Sequence, residues 1–453
     1  MDYINILFNP DRVVNLNKIQ QQGSGFVNSI KINASSTINR WYYYLLYIFF
    51  TYVILATICS IIIFYIILRF KNKIAHPYWY NQPVNFNSFA NIHSLFPSLK
   101  GPHVIQEQLP EITKWTNYHN MRFISPNEIT QQDIESCSTF LRENYQYTAY
   151  DKFKYTITDT EFISNFLSHN NNAYIGMYYD ENKELAGLTG SFPLNIELQR
   201  SDKTTLQIHN DVNFENIVYC NDFLCVKTDL RKREIAPKIM DTLVHKVRHT
   251  NAVSKIFISK RDNIKNEFIV PLTSYRFSIY RIKHWFHNSF DIHPSSRVLE
   301  ITPQNIHFFY SYLFSVKERF TAFIYPDMTN IIELLKQNCM YIYVILQNDK
   351  IFCSYIFKND TTTYQDDSTV MCVASINEEQ SDQFFIQGFY HILEKLHKDK
   401  GYNVLHLEEL ADNNKLNNLV MKGNTPFITN KSGWFLYNYM HPKIVSNKCL
   451  IIN

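Results

Sequence analysis

The 453-residue chain lacks an excess of charge of either sign. Lysine and arginine total 44 against 41 aspartates and glutamates, a net charge of +3, and the two signs are mixed along the sequence. That leaves no electrostatic footprint for nucleic acid. The eight cysteines form no Cys-x-x-Cys pair and no Cys/His zinc spacing, so neither a metal site nor a disulfide framework is expected. Cys220 and Cys225, with four residues between them, have no second pair to work with. They read as buried thiols in a reducing compartment. No internal repeat is evident. Length allows two or three domains. Asn, Ile, Lys and Tyr are abundant, as in chains from an AT-rich genome such as that of a large DNA virus or a parasite.

What stands out first is apolar length. From Trp41 to Leu68 no charged residue occurs over 28 positions, and roughly 20 apolar residues span a bilayer. Trp41 and Tyr42 to Tyr44 lie at one edge, and Arg69, Lys71 and Lys73 at the other. Aromatic residues and cations at the ends suit a single transmembrane helix over 41–70, preceded by a polar segment, 1–40. Those forty residues argue against a cleaved signal peptide. The closer cations on the C-terminal flank favour a cytosolic main domain, with Arg40 and Lys31 as a partial counterweight. The expectation is a single-pass protein of a host or viral membrane. Asp2 stands where an N-myristoylation signal needs glycine.

The most informative stretch is Phe223-Leu-Cys-Val-Lys-Thr-Asp-Leu-Arg-Lys-Arg-Glu-Ile-Ala-Pro237. Phe223 to Val226 reads as a buried strand end, and Arg231 to Arg233 as a basic loop. Pro237 suits the first turn of a helix. Met240, Leu243, Val244 and Val247 then share a helical face. A strand, a cationic loop and a helix start form an anion cradle, because unpaired N–H groups and the macrodipole point the same way. Around this unit, strand-like runs (Tyr174–Tyr179, Lys255–Ser259, Met340–Leu346) alternate with helical ones (Gln132–Asn144, Gln383–His397). A loop-like stretch near His293–Arg297 divides the main region into two mixed α/β segments, 71–292 and 293–453.

The 223–237 stretch closely resembles the N-myristoyltransferase family, whose strand ends in Phe-Leu-Cys-Val and whose loop reads Leu-Arg-Ser-Lys-Arg-Val/Leu-Ala-Pro. Six more pieces resemble the family in the same order. They are His76-Pro-Tyr-Trp-Tyr-Asn-Gln-Pro-Val84 with Gly101-Pro102; Glu143-Asn-Tyr145; Phe153-Lys-Tyr155; Leu185-Ala-Gly187 with Pro193-Leu-Asn-Ile196, as two strands; Lys400-Gly-Tyr-Asn-Val404; and Leu436-Tyr-Asn-Tyr439. The resemblance covers roughly 75–453. It implies an α/β (α+β) fold of two fused N-acetyltransferase-like halves behind the transmembrane helix. Family members are mostly soluble, so the anchor is an addition.

The resemblance further implies an acyltransferase that moves a fatty acyl group from myristoyl-CoA to the N-terminal glycine of a protein. Myristoyl-CoA is then a cosubstrate, with no permanently bound cofactor and no metal. The partners are acyl-CoA, glycine-terminated peptides and a membrane. Acyl-CoA contacts fall to Pro77, Tyr78, Trp79, Phe223, Leu224, Cys225, Val226, Arg231, Lys232, Arg233, Glu234, Ile235 and Ala236. The backbone N–H groups of Phe223 and Leu224 are expected to hold the developing oxyanion. The base that deprotonates the amine is expected to be the α-carboxylate of Asn453, behind the apolar Leu450, Ile451 and Ile452. Tyr145, Phe153, Tyr155 and Ser259 are expected to line the peptide groove.

The chain departs from the family at several points. Lys232 replaces a serine and Glu234 a basic residue. The acidic run after Glu-Asn-Tyr becomes Gln146 to Tyr150, with only Asp151 acidic. The Gly-Asp-Gly loop has no counterpart in 423–434, and Tyr-Trp-His-Arg loses its histidine near Arg276-Phe-Ser278. The tail is one residue shorter before Leu450. These losses keep open a non-catalytic, membrane-anchored binding or assembly component, and an acyltransferase acting on a different amine.

Overall fold

A computed structural model describes residues 10–87, 101–145, 153–199, 205–206, 216–250, 254–264, 268–286, 295–378 and 382–453, with side chains from residue 40 onward except at 205–206. The chain divides into two units, 1–75 and 76–453. The described residues of the first form one helix, α1 (Pro10–Ala75). Within it Arg40–Ala75 is long and apolar enough to cross a membrane, and none of its apolar stretch is covered by protein. Trp41, Phe49, Ile61 and Phe64, on different sides of the helix, are all exposed. A helix apolar all round is suited to lipid rather than to water.

The second unit is built on one large sheet. In chain order its first elements are β1 (His103–Val104), β2 (Met121–Ile124), α2 (Gln131–Asn144), β3 (Phe153–Tyr155), α3 (Asp159–Ser164), β4 (Tyr174–Tyr179), β5 (Leu185–Gln199), β6 (Thr205–Leu206), β7 (Ile217–Val226), α4 (Ile235–Thr250), β8 (Phe257–Asp262) and β9 (Thr273–Arg281). Then follow β10 (Ser296–Ile301), α5 (Ile306–Val316), β11 (Ala322–Tyr325), α6 (Met328–Lys336), β12 (Met340–Gln347), β13 (Lys350–Tyr364), β14 (Asp367–Asn377), α7 (Asp382–Lys400), β15 (Val404–Glu408), α8 (Asn413–Gly423), β16 (Ile428–Tyr437), β17 (Tyr439–Met440) and β18 (Cys449–Ile451).

The order repeats itself. β2, β4, β5 and β7 pair antiparallel in succession, α4 follows, and β8 returns parallel to β7. β10, β12, β13 and β14 do the same, α7 follows, and β15 returns parallel to β14. β9 and β16 close the gap, giving β15-β9-β16-β8. β5 is one 15-residue strand, where the sequence suggests two. Residues 185–187 and 193–196 both lie within it, joined by a stretch that is buried throughout.

Local chemistry accounts for the helices that frame the cleft. Thr130 and Asp133 make a reciprocal capping box that starts α2. Ile134, Cys137 and Leu141 then face the core. In α4, Ile235, Ile239, Leu243 and Val247 recur at i+4 and are buried against β4, β5 and β7. Gly401 ends α7 in the left-handed region at φ 76°, where a side chain would be strained.

Candidate functional site

β7 and β8 pair at only two positions, Tyr219 with Phe257 and Cys220 with Ile258. Beyond them the strands part. Leu224, Cys225 and Val226 on one strand and Ser259 to Asp262 on the other line a cavity of about 870 Å³. The divergence starts at a bulge. The β5–β7 register shifts between Leu188 and Gly190, and Phe223 takes a left-handed φ of 54°. Packing holds this strained residue: its ring lies 5.5 Å from Phe162 and 5.7 Å from Phe166. A Cβ on Gly190 would stand 2.3 Å from Phe166, so glycine is needed there for the aromatic support to fit.

The basic loop closes one end of the large cavity. Lys232 and Glu234 both have positive φ, 65° and 61°, so the backbone is curled just before α4. Pro237 sits in the first turn of that helix, where a missing N–H costs nothing. Arg231 and Lys232 line the cavity with apolar Val226, Leu230, Ile235, Ala236, Met240 and Leu243. Cations and free N–H groups at one end with an apolar body beyond suit a phosphate-bearing acyl carrier. Arg231 is already engaged: it donates to the carbonyls of Val226 and Asn144. Burial pushes the Cys225 thiol up to about 11, with Arg231 opposing.

Tyr78 and Trp79 reach the large cavity. Their segment is clamped through Gln82, which accepts from the Tyr437 hydroxyl at 2.6 Å and donates to Asp241 at 3.4 Å. Thr113 and Thr116 donate to the same carboxylate at 2.9 and 2.6 Å. Pro77 and Arg233 are not among the lining residues of either cavity.

A second, polar cavity of about 150 Å³ lies beside the first; Tyr145, Asn221, Asp222, Lys260 and Asp262 line both. Phe223, Tyr155, Asn165, Lys358, Asp360 and Asn453 also line the inner one. The geometry therefore brings Phe223 and Asn453 to one cavity, while Leu224 faces the larger one. Asn453 is carried in by β18, parallel to β11, with the Ile452 N–H bonded to the Ile324 carbonyl at 2.9 Å. The Lys358 ammonium donates to the Asn453 backbone oxygen at 3.1 Å and to Asn165 Oδ1 at 3.0 Å. Lys260 pairs with buried Glu408. Burial raises the pKa of Asp262, but Lys260, the Ser432 hydroxyl and His406 outweigh it and hold it below the usual carboxylate value.

Of the residues expected in a peptide groove, Tyr145 and Tyr155 have rings 4.7 Å apart and line the inner cavity. Ser259 lines the large one. Phe153 packs on Tyr364 at 4.9 Å in a core cluster with Phe277 and lines neither. Residues 146–151, where the acidic run is replaced, lie outside the described residues.

Residues 104–263 match the family model described as Myristoyl-CoA:protein N-myristoyltransferase, N-terminal domain. Over those residues the chain carries the N-terminal domain of the N-myristoyltransferase family. Among solved structures it is similar to Saccharomyces cerevisiae N-myristoyltransferase with bound myristoyl-CoA, at 14% identity and a TM-score of 0.62, over 82% of this chain and 90% of that one. Another structure of the yeast enzyme, with bound myristoyl-CoA and inhibitors, gives 14% identity and a TM-score of 0.61 over 84% and 95%. At such identity these likenesses show the fold. No curated protein matches by sequence. Within this N-myristoyltransferase fold, the inner cavity holds groups that motif reading passed over. Asp222 precedes the Phe-Leu-Cys-Val motif, Lys260 follows Ser259 on β8, and Lys358 lies on a strand that carries no motif. The spacing of Lys358 and Asp360 on β13 puts them on one face, but nothing in the sequence says which face meets β7.

Proposed function

We propose that this protein is an acyl-CoA-dependent N-acyltransferase that transfers a myristoyl-type acyl group to the N-terminal glycine of proteins. One observation carries the reading. The bulged backbone at Phe223 and the end residue Asn453 share an inner cavity, and this adjoins a large apolar cavity closed by a basic loop and a helix start. Thioester, amine and base would meet where the two cavities join. In this reading Phe223 N–H stabilises the oxyanion, the α-carboxylate of Asn453 takes the amine proton, and Trp41–Leu68 anchors the enzyme with its main unit on the cytosolic side. The test is incubation of the full chain with radiolabelled myristoyl-CoA and a library of glycine-terminated peptides. Label on no peptide would refute the reading. Carbonate extraction and glycosylation of Asn33 in microsomes test the anchor and its orientation.

A second reading, a membrane-anchored relative that binds acyl-CoA without transfer, draws on Asp222. Its carboxylate accepts the Phe223 N–H at 2.7 Å, the donor that catalysis needs. Tight acyl-CoA binding with no transfer would favour it.

A further inference from the structure

The inner cavity already contains an amine. Lys358 lies on β13 with its Nζ held between two oxygens, Asn165 Oδ1 at 3.0 Å and the Asn453 backbone oxygen at 3.1 Å. Both partners are cavity residues, and so is Phe223, which follows Asp222, a residue lining both cavities, and precedes Leu224, which lines the large one. The cavity, about 150 Å³, has room for several waters. A peptide N-terminus entering there would meet Lys358. The second lysine of the cavity differs, because Lys260 is matched to the buried carboxylate of Glu408.

We propose that Lys358 is itself an acyl acceptor, so that the chain acylates its own Nζ from a fatty acyl-CoA thioester. This rests on the acyl-CoA reading above and names an acceptor that it did not. Burial is the largest influence on the Lys358 ammonium and pushes its pKa below the ordinary lysine value; Asp222 opposes the shift. The fraction present as neutral amine is therefore larger than for a surface lysine. In the step, the nitrogen lone pair attacks the thioester carbonyl carbon. The N–C bond forms, the C–S bond breaks, and the electron pair leaves on sulfur. The proton shed by nitrogen ends on that sulfur, so the products are an amide and the free CoA thiol. Cys225 lines the large cavity, but its thiol, pushed up to about 11 by burial, is protonated at neutral pH and is a poor competitor.

The experiment uses the full chain in detergent with alkyne-tagged myristoyl-CoA and no peptide. Binding is read by calorimetry, and modification by intact mass and fragment sequencing. The expected result is one acyl group per chain on Lys358, resistant to hydroxylamine and absent from Lys358→Arg. Sequencing of the unmutated chain decides the site even if that variant folds poorly. Binding without acylation of Lys358 overturns this proposal alone. So does acyl spread over several lysines, or a hydroxylamine-labile acyl on Cys225. Absence of both binding and acylation overturns the acyl-CoA reading and this proposal together.

Discussion

The carboxylate of Asp222 accepts a hydrogen bond from the backbone N–H of Phe223, its own neighbour, at 2.7 Å. In the proposed mechanism that N–H is the donor for the oxyanion, so the carboxylate occupies the place where negative charge would develop. Asp222→Ala frees the donor and removes the charge. The expected result is faster acyl transfer, up to about 10²–10³-fold, the value of one oxyanion-hole donor. Single-turnover transfer from radiolabelled acyl-CoA measures it. An unchanged or lower rate would show that this N–H does not stabilise the transition state.

The basic loop separates binding from stability. Arg231 ties the carbonyls of Val226 and Asn144, so Arg231→Ala is expected to lower the unfolding temperature as well as acyl-CoA affinity. Lys232 is exposed at the cavity rim. Lys232→Ala should weaken acyl-CoA binding about tenfold, near 1.5 kcal/mol for a charge-assisted contact, with the melting temperature unmoved. Calorimetry and thermal unfolding on both variants check the contrast. Equal melting losses would show that Lys232 also supports the loop fold.

The support beneath Phe223 is tested at Gly190. A Cβ there meets the Phe166 ring at 2.3 Å and lies 3.4 Å from Phe223. Gly190→Ala must push one or both rings, at a cost of about 1–3 kcal/mol for overpacking, and it tilts the bulge. Transfer is expected to fall further than acyl-CoA binding, because the cradle lies at the other end of the cavity. A variant with native stability would show that the ring stack yields freely.

These tests separate what the sequence made legible from what it did not. Local signals sufficed for Tyr174–Tyr179, which is β4, and for the helices at Gln132 and Gln383, whose periodic apolar faces are strong over several turns. The 223–237 stretch was legible because strand, loop and helix are contiguous in sequence. The inner cavity was not, because β7, β8, β13 and the chain end meet only through sheet topology. Lys358 is 135 residues from Phe223 and looks like any strand lysine. The family resemblance implies Phe153 in the groove, whereas it packs on Tyr364 in the core, a role aromatic residues fill as readily. Leu224 was read as part of a buried strand end, yet the bulge turns it outward, 37% exposed.

Stability should depend on pH through Lys358. Burial holds its folded pKa below the ordinary 10.5; Lys260 adds to the shift, while Asp222, Cys339 and Cys220 oppose it. The unfolded chain therefore binds more protons between the folded value and 10.5, and stability rises with pH across that window. Above 10.5 the contribution is complete; as pH falls through the folded pKa it is lost. In Lys358→Met this component is absent. Unfolding midpoints in detergent should thus rise more steeply with pH for the unmodified chain than for the variant. Parallel curves would mean that the folded environment does not disfavour the ammonium.

The last test concerns Asn453 as the proposed source of the base. Leu450, Ile451 and Ile452 are fully buried, and the Ile452 N–H bonds to Ile324, so the chain end is fixed by backbone pairing rather than by its own side chain. Asn453→Gln preserves the α-carboxylate and should retain transfer. Appending a few residues after Asn453 converts that carboxylate into an amide and should suppress turnover about 10²–10⁴-fold, the usual cost of losing a general base. Extension is cleaner than deletion, because removing Ile452 also removes core packing. Acyl-CoA affinity should be unchanged, since the basic loop and α4 are untouched. Undiminished transfer by the extended chain would shift the role of base to another carboxylate on the same cavity, with Asp262 and Asp360 the groups to substitute next.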